Sequence, residues 1–414
     1  MRQATESQRH REKSFLTLCL CVSVACLTTA PAFAQVDGHV SALVDVLPDL
    51  SAPVVSELRT RLFIEHKRDV GNHLRLNLAG YVDGLVADRR ASGGSGTSSD
   101  AIVRPGDLYA EVFSDRFDVR VGASRLVWGR LDEFQPTDVI NPIDLTRFLL
   151  EGRSEARLPV GLVRARVYLP RASTLEGVVV PVFRASRFDQ LDEATSPFNL
   201  TTGQNVICPP VGLGPCRLLP FERHEPNAAW SHVQGGARFT STLARVDWGV
   251  SAYRGFRTFP VFTPSRLSVI ETFPRFTMLG GDFETVRGQW GVRGELAMFV
   301  EDERRFEGGV GADRRAGDYR VAANVLLSHE SGETDMTLVG AADRSFARET
   351  RTLRAFVAYD PADETAFVRG IGAISLRDNV WLEGSAGVFA GASLDTLGRL
   401  TQRDFLYARL KVFF

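Results

Sequence analysis

Lysine is almost absent from this 414-residue sequence. It occurs only at Lys13, Lys67 and Lys411, so 46 of the 49 basic residues are arginine. A GC-rich coding bias accounts for such a skew, but it has a chemical consequence: arginine keeps its charge when confined and grips carboxylates in bidentate fashion. Cysteine is also scarce. Of five, Cys19, Cys21 and Cys26 fall in the first 34 residues, leaving Cys208 and Cys216. Two thiols exclude both a cysteine-rich zinc scaffold and a disulfide-dense mini-domain. Beyond residue 34 no run of 18 apolar residues occurs, which excludes a transmembrane helix there. Neither charge sign dominates, and nucleic acid is not an expected partner.

Chemistry-bearing motifs are missing too. There is no Gly-x-Ser-x-Gly, His-Glu-x-x-His or P-loop. Histidines past the leader are His39, His66, His73, His224, His232 and His329. Ser231-His232 and Ser328-His329 are adjacent pairs, and neighbours on a strand point to opposite faces, so neither makes a nucleophile with its base. The acidic runs Asp189–Glu193 and Glu301–Glu303 read as solvated loop faces. The expectation is a protein that is not an enzyme, with no catalytic residue, metal site or cofactor.

Residues 1–34 have the form of a cleavable signal peptide. Arg9, Arg11 and Lys13 precede an apolar core from Phe15 to Leu27, and Ala32-Phe33-Ala34 offers the cleavage site. Cleavage would leave 45 basic and 48 acidic residues, a net charge of −3. Export places Cys208 and Cys216 in an oxidising compartment, where a loop disulfide is the natural reading. The rival, a metal site, has no histidine within the short loop to help it.

What the sequence has in abundance is two-residue alternation. In Leu74–Asp83 one face is Leu, Leu, Leu, Gly, Val and the other carries Arg75, Asn77 and Asp83. Val163–Tyr168, Arg245–Ala252 and Val292–Met298 repeat the plan. Short connections (114–116, 170–173, 287–289, 377–379) alternate with long ones (89–104, 187–228, 256–273, 391–403). That is the pattern of an all-β transmembrane up-and-down antiparallel barrel, whose mean hydropathy (here −0.06) need not be high because the lumen is polar. A periplasmic β-sandwich or propeller also alternates. Against it, Leu406, Ala408, Leu410, Val412 and Phe414 share one face of a strand that runs to the last residue given. A terminal phenylalanine of this kind resembles the signal read by the barrel-assembly machinery, so Phe414 is the expected assembly signal. Seventeen strands can be marked between residues 57 and 414. An even count is normal, so one is surplus or one is missing, with 38–47 the place to look; sixteen is favoured within a range of 14–18. The expected organisation is a leader at 1–34, a periplasmic segment or first strand at 35–56, and the barrel at 57–414.

One connection breaks the pattern. Residues 128–157 are rich in turn formers, yet include Trp128, Phe134, Val139, Ile140, Ile143, Leu145 and Phe148. An ordered loop folded into the lumen needs such anchors; an external loop held by surface ion pairs is the alternative. The loop carries Asp132, Glu133, Asp138 and Asp144 with Arg147. Set opposite wall residues Arg164 and Arg166, these would form a charged constriction.

Trp128-Gly129 followed by Asn141-Pro142-x-Asp144 resembles a family of porin-like proteobacterial outer-membrane barrels, with alginate-export and lipid-transport barrels as neighbours. The resemblance implies a channel in the cell outer membrane, in contact with lipid and lipopolysaccharide, that passes small or specific solutes. A dedicated export or lipid-transfer barrel with a periplasmic or inner-membrane partner is the second expectation. A blocked barrel serving as anchor or enzyme is the third.

Overall fold

The computed structural model describes residues 36–48, 54–91, 94–145, 150, 152–187, 206–207, 216–301, 303–391, 398–401 and 403–414. The expected leader, Arg147 and Cys208 lie outside them.

The strands in chain order are β1 Val36–Val46, β2 Val54–Val70, β3 Leu74–Ala91, β4 Gly94–Phe113, β5 Phe117–Ser124, β6 Val160–Leu169, β7 Ser173–Val180, β8 Val206–Ile207, β9 Arg217–Leu218, β10 Phe221–His224, β11 Gln234–Leu243, β12 Val246–Phe256, β13 Val261–Pro264, β14 Val269–Thr272, β15 Arg275–Arg287, β16 Trp290–Val300, β17 Arg304–Ala316, β18 Tyr319–Glu330, β19 Glu333–Phe346, β20 Arg351–Asp360, β21 Thr365–Arg377, β22 Val380–Ala390 and β23 Phe405–Phe413. Eighteen of them form one sheet. Each barrel strand pairs antiparallel with the next, and β1 pairs antiparallel with β23, His39 opposite Phe413 and Val46 opposite Leu406, which closes the barrel. The remaining short strands, β8–β10, β13 and β14, decorate two long connections.

The favoured count of sixteen is therefore corrected to 18. All seventeen expected strands are present, and the missing one is β1, in the place left for it. The Gly/Ser tract at 89–104 is corrected too. Serine and glycine read as loop, but residues 89–91 and 94–104 extend β3 and β4, which pair from Leu74–Val112 out to Ala91–Gly94. A cross-strand partner satisfies their backbone groups whatever the side chains prefer.

Alternation sets the two faces. On β16, Arg293, Glu295, Ala297 and Phe299 turn inward, while Leu296 is 61% exposed on the outside. On β23, Phe405 and Tyr407 are buried within and Leu406 and Leu410 are exposed without. The outer surface repeats this with Val250, Leu279, Val310, Val321 and Val368. Every connection at one end is a tight turn, as at Ala244-Arg245, where both residues take left-handed φ of 49° and 71°. The long connections all lie at the other end.

Candidate functional site: the loop across the lumen

The β5–β6 connection, residues 125–159, leaves the wall at Ser124 and enters the barrel. Asn141 ties its base. The Asn141 side-chain carbonyl accepts from Leu126 N (2.7 Å), and its amide donates to Leu158 O (2.8 Å) and Ser124 O (3.2 Å). Leu158 N donates to Pro142 O at 2.8 Å, so Asn141-Pro142 bridges the outgoing and returning chain.

Apolar residues then anchor the loop to opposite walls. Trp128 and Ile140 are buried with Val178 and Val180 of β7, Tyr253 of β12, Phe276 and Met278 of β15 and Phe299 of β16. The Trp128 indole N–H donates to Glu176 on β7 at 2.6 Å. Leu150 packs in a separate cluster with Leu43, Phe367, Phe389 and Phe405, on β1 and β21–β23. Its carbonyl accepts from Arg369 (2.7 Å) and Tyr407 (3.1 Å). The chain between these anchors must cross the lumen.

A carboxylate on the wall organises the turn after Trp128. Glu295 accepts from the backbone N–H groups of Arg130, Leu131 (2.6 Å) and Thr137 (3.3 Å), and from the Thr137 hydroxyl (3.0 Å). Gly129 permits this approach: its φ is +100°, and a Cβ there would stand 2.7 Å from the Glu295 oxygens.

Charged side chains of the loop meet the wall on β4 and between β15 and β20. Arg130 donates to Asp282 (2.6 Å) and Glu284 (3.2 Å) on β15. Asp132 accepts from Arg293 on β16 and from Arg320 on β18, the latter at 3.0 Å. Glu133 pairs with Arg354 on β20. Asp138 pairs within the loop with Arg157 (2.6 Å), and fully buried Asp144 with Arg104 on β4 (3.0 Å). Wall carboxylates continue the series: Asp313 bonds Arg293 and Arg320, and Asp282 bonds Arg238. The result is a belt of alternating sign from β11 to β20.

Arg164 and Arg166 do not oppose the loop as expected. They bond wall carboxylates of their own, Glu111 and Asp118, with Arg164 to Glu111 at 2.7 Å and Arg166 to Asp118 at 2.9 Å. The expected carboxylates are in the lumen, but their counter-charges are Arg293, Arg320, Arg354, Arg157 and Arg104. Alternation showed that Arg293 and Glu295 face inward; nothing in one sequence shows which wall residue a loop from another hairpin will reach.

The loop divides the lumen. Toward the long-connection end lies a cavity of about 680 Å³, and toward the tight-turn end one of about 430 Å³ bordered by Gly129, Asp132, Arg238 and Glu284.

Residues 87–317 match the family model described as "Protein of unknown function (DUF1302)". The chain belongs to that family. None of the curated proteins matches it. Among solved structures, the DUF1302 chain is similar to Pseudomonas aeruginosa OccK7 (OpdD), with 10% identity and a TM-score of 0.51 over 92% of this chain and 99% of that one. It is also similar to Acinetobacter baumannii OccAB4, with 7% identity and a TM-score of 0.50 over 92% and 98%. A mutant of Rh. blastica porin aligns at 11% identity and a TM-score of 0.41, over 92% and 99%. At these identities the likeness to OccK7 and OccAB4 is one of fold alone, a closed β-barrel.

Proposed function

We propose that this DUF1302 protein is an outer-membrane channel for small solutes, with the β5–β6 loop as its constriction. The observation that carries this is the loop's passage across the lumen, anchored at Trp128 on one wall and Leu150 on another. The exposed apolar outer face supports a lipid setting, since a soluble monomer rarely leaves so extended an apolar surface uncovered. Every backbone group of a closed barrel is paired, as a bilayer demands. The contribution of the chain is passage, not reaction.

The belt defines how selectivity would work. Asp132 and Glu133 hold Arg293, Arg320 and Arg354 in charge balance at the loop. In a narrow site, at an effective dielectric near 20, a charge pair at 4 Å is worth about 4 kcal/mol, against about 1 kcal/mol in water. Replacing Asp132→Asn with Glu133→Gln therefore removes two negative charges from beside three guanidinium groups, which keep only wall carboxylates such as Asp313 and Asp343 as partners. Reversal potentials of the purified protein in planar bilayers should move toward anion selectivity. The shift should shrink at 1 M salt, where the Debye length is about 3 Å. Deleting residues 131–139 should raise single-channel conductance. An assembled barrel whose conductance and selectivity ignore both changes would overturn the reading.

A further inference from the structure

The cavity toward the long-connection end is lined in a way that a passage for hydrated ions does not require. Loop residue Phe134, Phe256 at the end of β12, Phe259 beyond it, Phe299 of β16, Leu326 of β18 and Leu400 before β23 all border it. The aromatic rings brace one another: Phe276 and Phe299 stand 5.6 Å apart edge to face, and Tyr253 and Phe276 stand 6.0 Å apart. At about 680 Å³ the cavity falls within the range of small-molecule sites, which are mainly apolar with a few polar groups.

The polar groups present are not set for an anion. Arg257 is engaged by Glu301 (2.6 Å) and Glu330 (3.1 Å). Arg305 is engaged by Glu301 and Glu307 and lies over the Phe299 ring, 4.0 Å from its centre. Asp335 adds a further carboxylate at the border. Among the residues that line the cavity, Asp138, Glu307, Glu330 and Asp335 thus outnumber Arg257 and Arg305. A carboxylate or sulfonate entering here would meet excess negative charge with both guanidinium groups already paired. An uncharged or cationic aromatic solute would meet aromatic side chains and an acidic border, the first suited to aromatic contacts and the second to a positive charge.

We infer that this cavity is a binding site for uncharged or cationic aromatic small molecules, lying directly before the constriction. The inference deepens the channel reading by giving the solute class. It depends on that reading for transport and not for binding, so binding is what the test measures.

The protein is placed in nanodiscs, and fluorine NMR line broadening is followed for 4-fluorobenzyl alcohol, 4-fluorobenzylamine and 4-fluorobenzoate, with empty nanodiscs subtracted. The alcohol and the amine should bind at least about tenfold more tightly than the benzoate. Phe134→Ala should weaken them by about two- to tenfold, the scale of one aromatic contact. Phe134 belongs to the constriction loop, so a second variant fills the space without removing a packed side chain. Ser328 points inward from β18 at the border, and Ser328→Trp should abolish binding while the protein keeps its heat-modifiable mobility. Benzoate binding as tightly as the alcohol would overturn the inference. So would binding that survives Ser328→Trp in an assembled barrel. Saturable binding by a barrel that conducts no ions would sink the channel reading and leave this one standing.

Discussion

Glu295 accepts hydrogen bonds from both ends of the turn spanning residues 130–137, and it does so from a wall strand with only 5% of its surface exposed. Removing the acceptor would strand buried N–H donors, at about 1–3 kcal/mol each. Because the donors can partly relax, we expect a local loss on the order of 3 kcal/mol for Glu295→Ala. Amide hydrogen exchange in residues 130–137 should then speed up by about a hundredfold, while amides of β21–β23 stay as they were. Glu295→Gln keeps an oxygen acceptor and should cost about a tenth of that acceleration. Loop amides that exchange at the parent rate in Glu295→Ala would show that the apolar anchors alone hold the turn. Gly129 belongs to the same device. Its left-handed backbone, and the carboxylate oxygens that would stand 2.7 Å from a Cβ, leave no room for a side chain.

At the scale of elements, lengths match duties. β5 and β7 have 8 residues each, and the chain leaves the wall early there to supply the β5–β6 loop and the β7–β11 connection, whereas β3 and β4 have 18 and 20 and stand taller. Between β7 and β11 runs the longest connection, partly pinned where β10 pairs with β14 of the next connection. Cys216 opens its last described stretch, and Cys208 lies outside the described residues. We propose that the two form a disulfide. So short a closed loop would stabilise by roughly 2–3 kcal/mol in the chain-entropy model. Mass spectrometry of non-reduced peptides from membrane-isolated protein should show the Cys208–Cys216 link. Free thiols at both positions would refute it.

For the whole molecule, closure is the decisive act. Phe414 N donates to Gly38 O and Gly38 N donates to Phe414 O, each at 3.0 Å, continuing the β1–β23 ladder by one residue. Gly38 is packed so closely under the Phe414 ring that a Cβ would stand 2.7 Å from it. A barrel left open here would expose two unpaired strand edges, which a bilayer cannot satisfy. Phe414→Asp replaces the ring with a charge at that seam. The variant should accumulate unassembled, protease-sensitive and without heat-modifiable mobility. A normal assembled yield would remove Phe414 from any part in closure.

Alternation along the chain was enough to read an all-β, up-and-down barrel and to place seventeen of its strands, because a period of two is a local property that each strand carries by itself. Even the parity of Arg293 and Glu295 was legible. The count faltered at β1, where apolar Leu43 shares the inward face with Asp37, His39, Ser41 and Asp45 and blunts the alternation until the partners β2 and β23 are known. The Gly/Ser tract misled for the same reason, since its extended form is imposed by the partner strand. Apolar residues in 128–157 signalled an ordered loop and its carboxylates signalled a charged lumen. The identity of the opposing arginines could not be read. Arg164 and Arg166 are close in sequence but point to Glu111 and Asp118, while Arg293, Arg320 and Arg354 arrive from strands well over a hundred residues away. Periodicity fixes which way a side chain faces; only closure of the sheet decides what it faces.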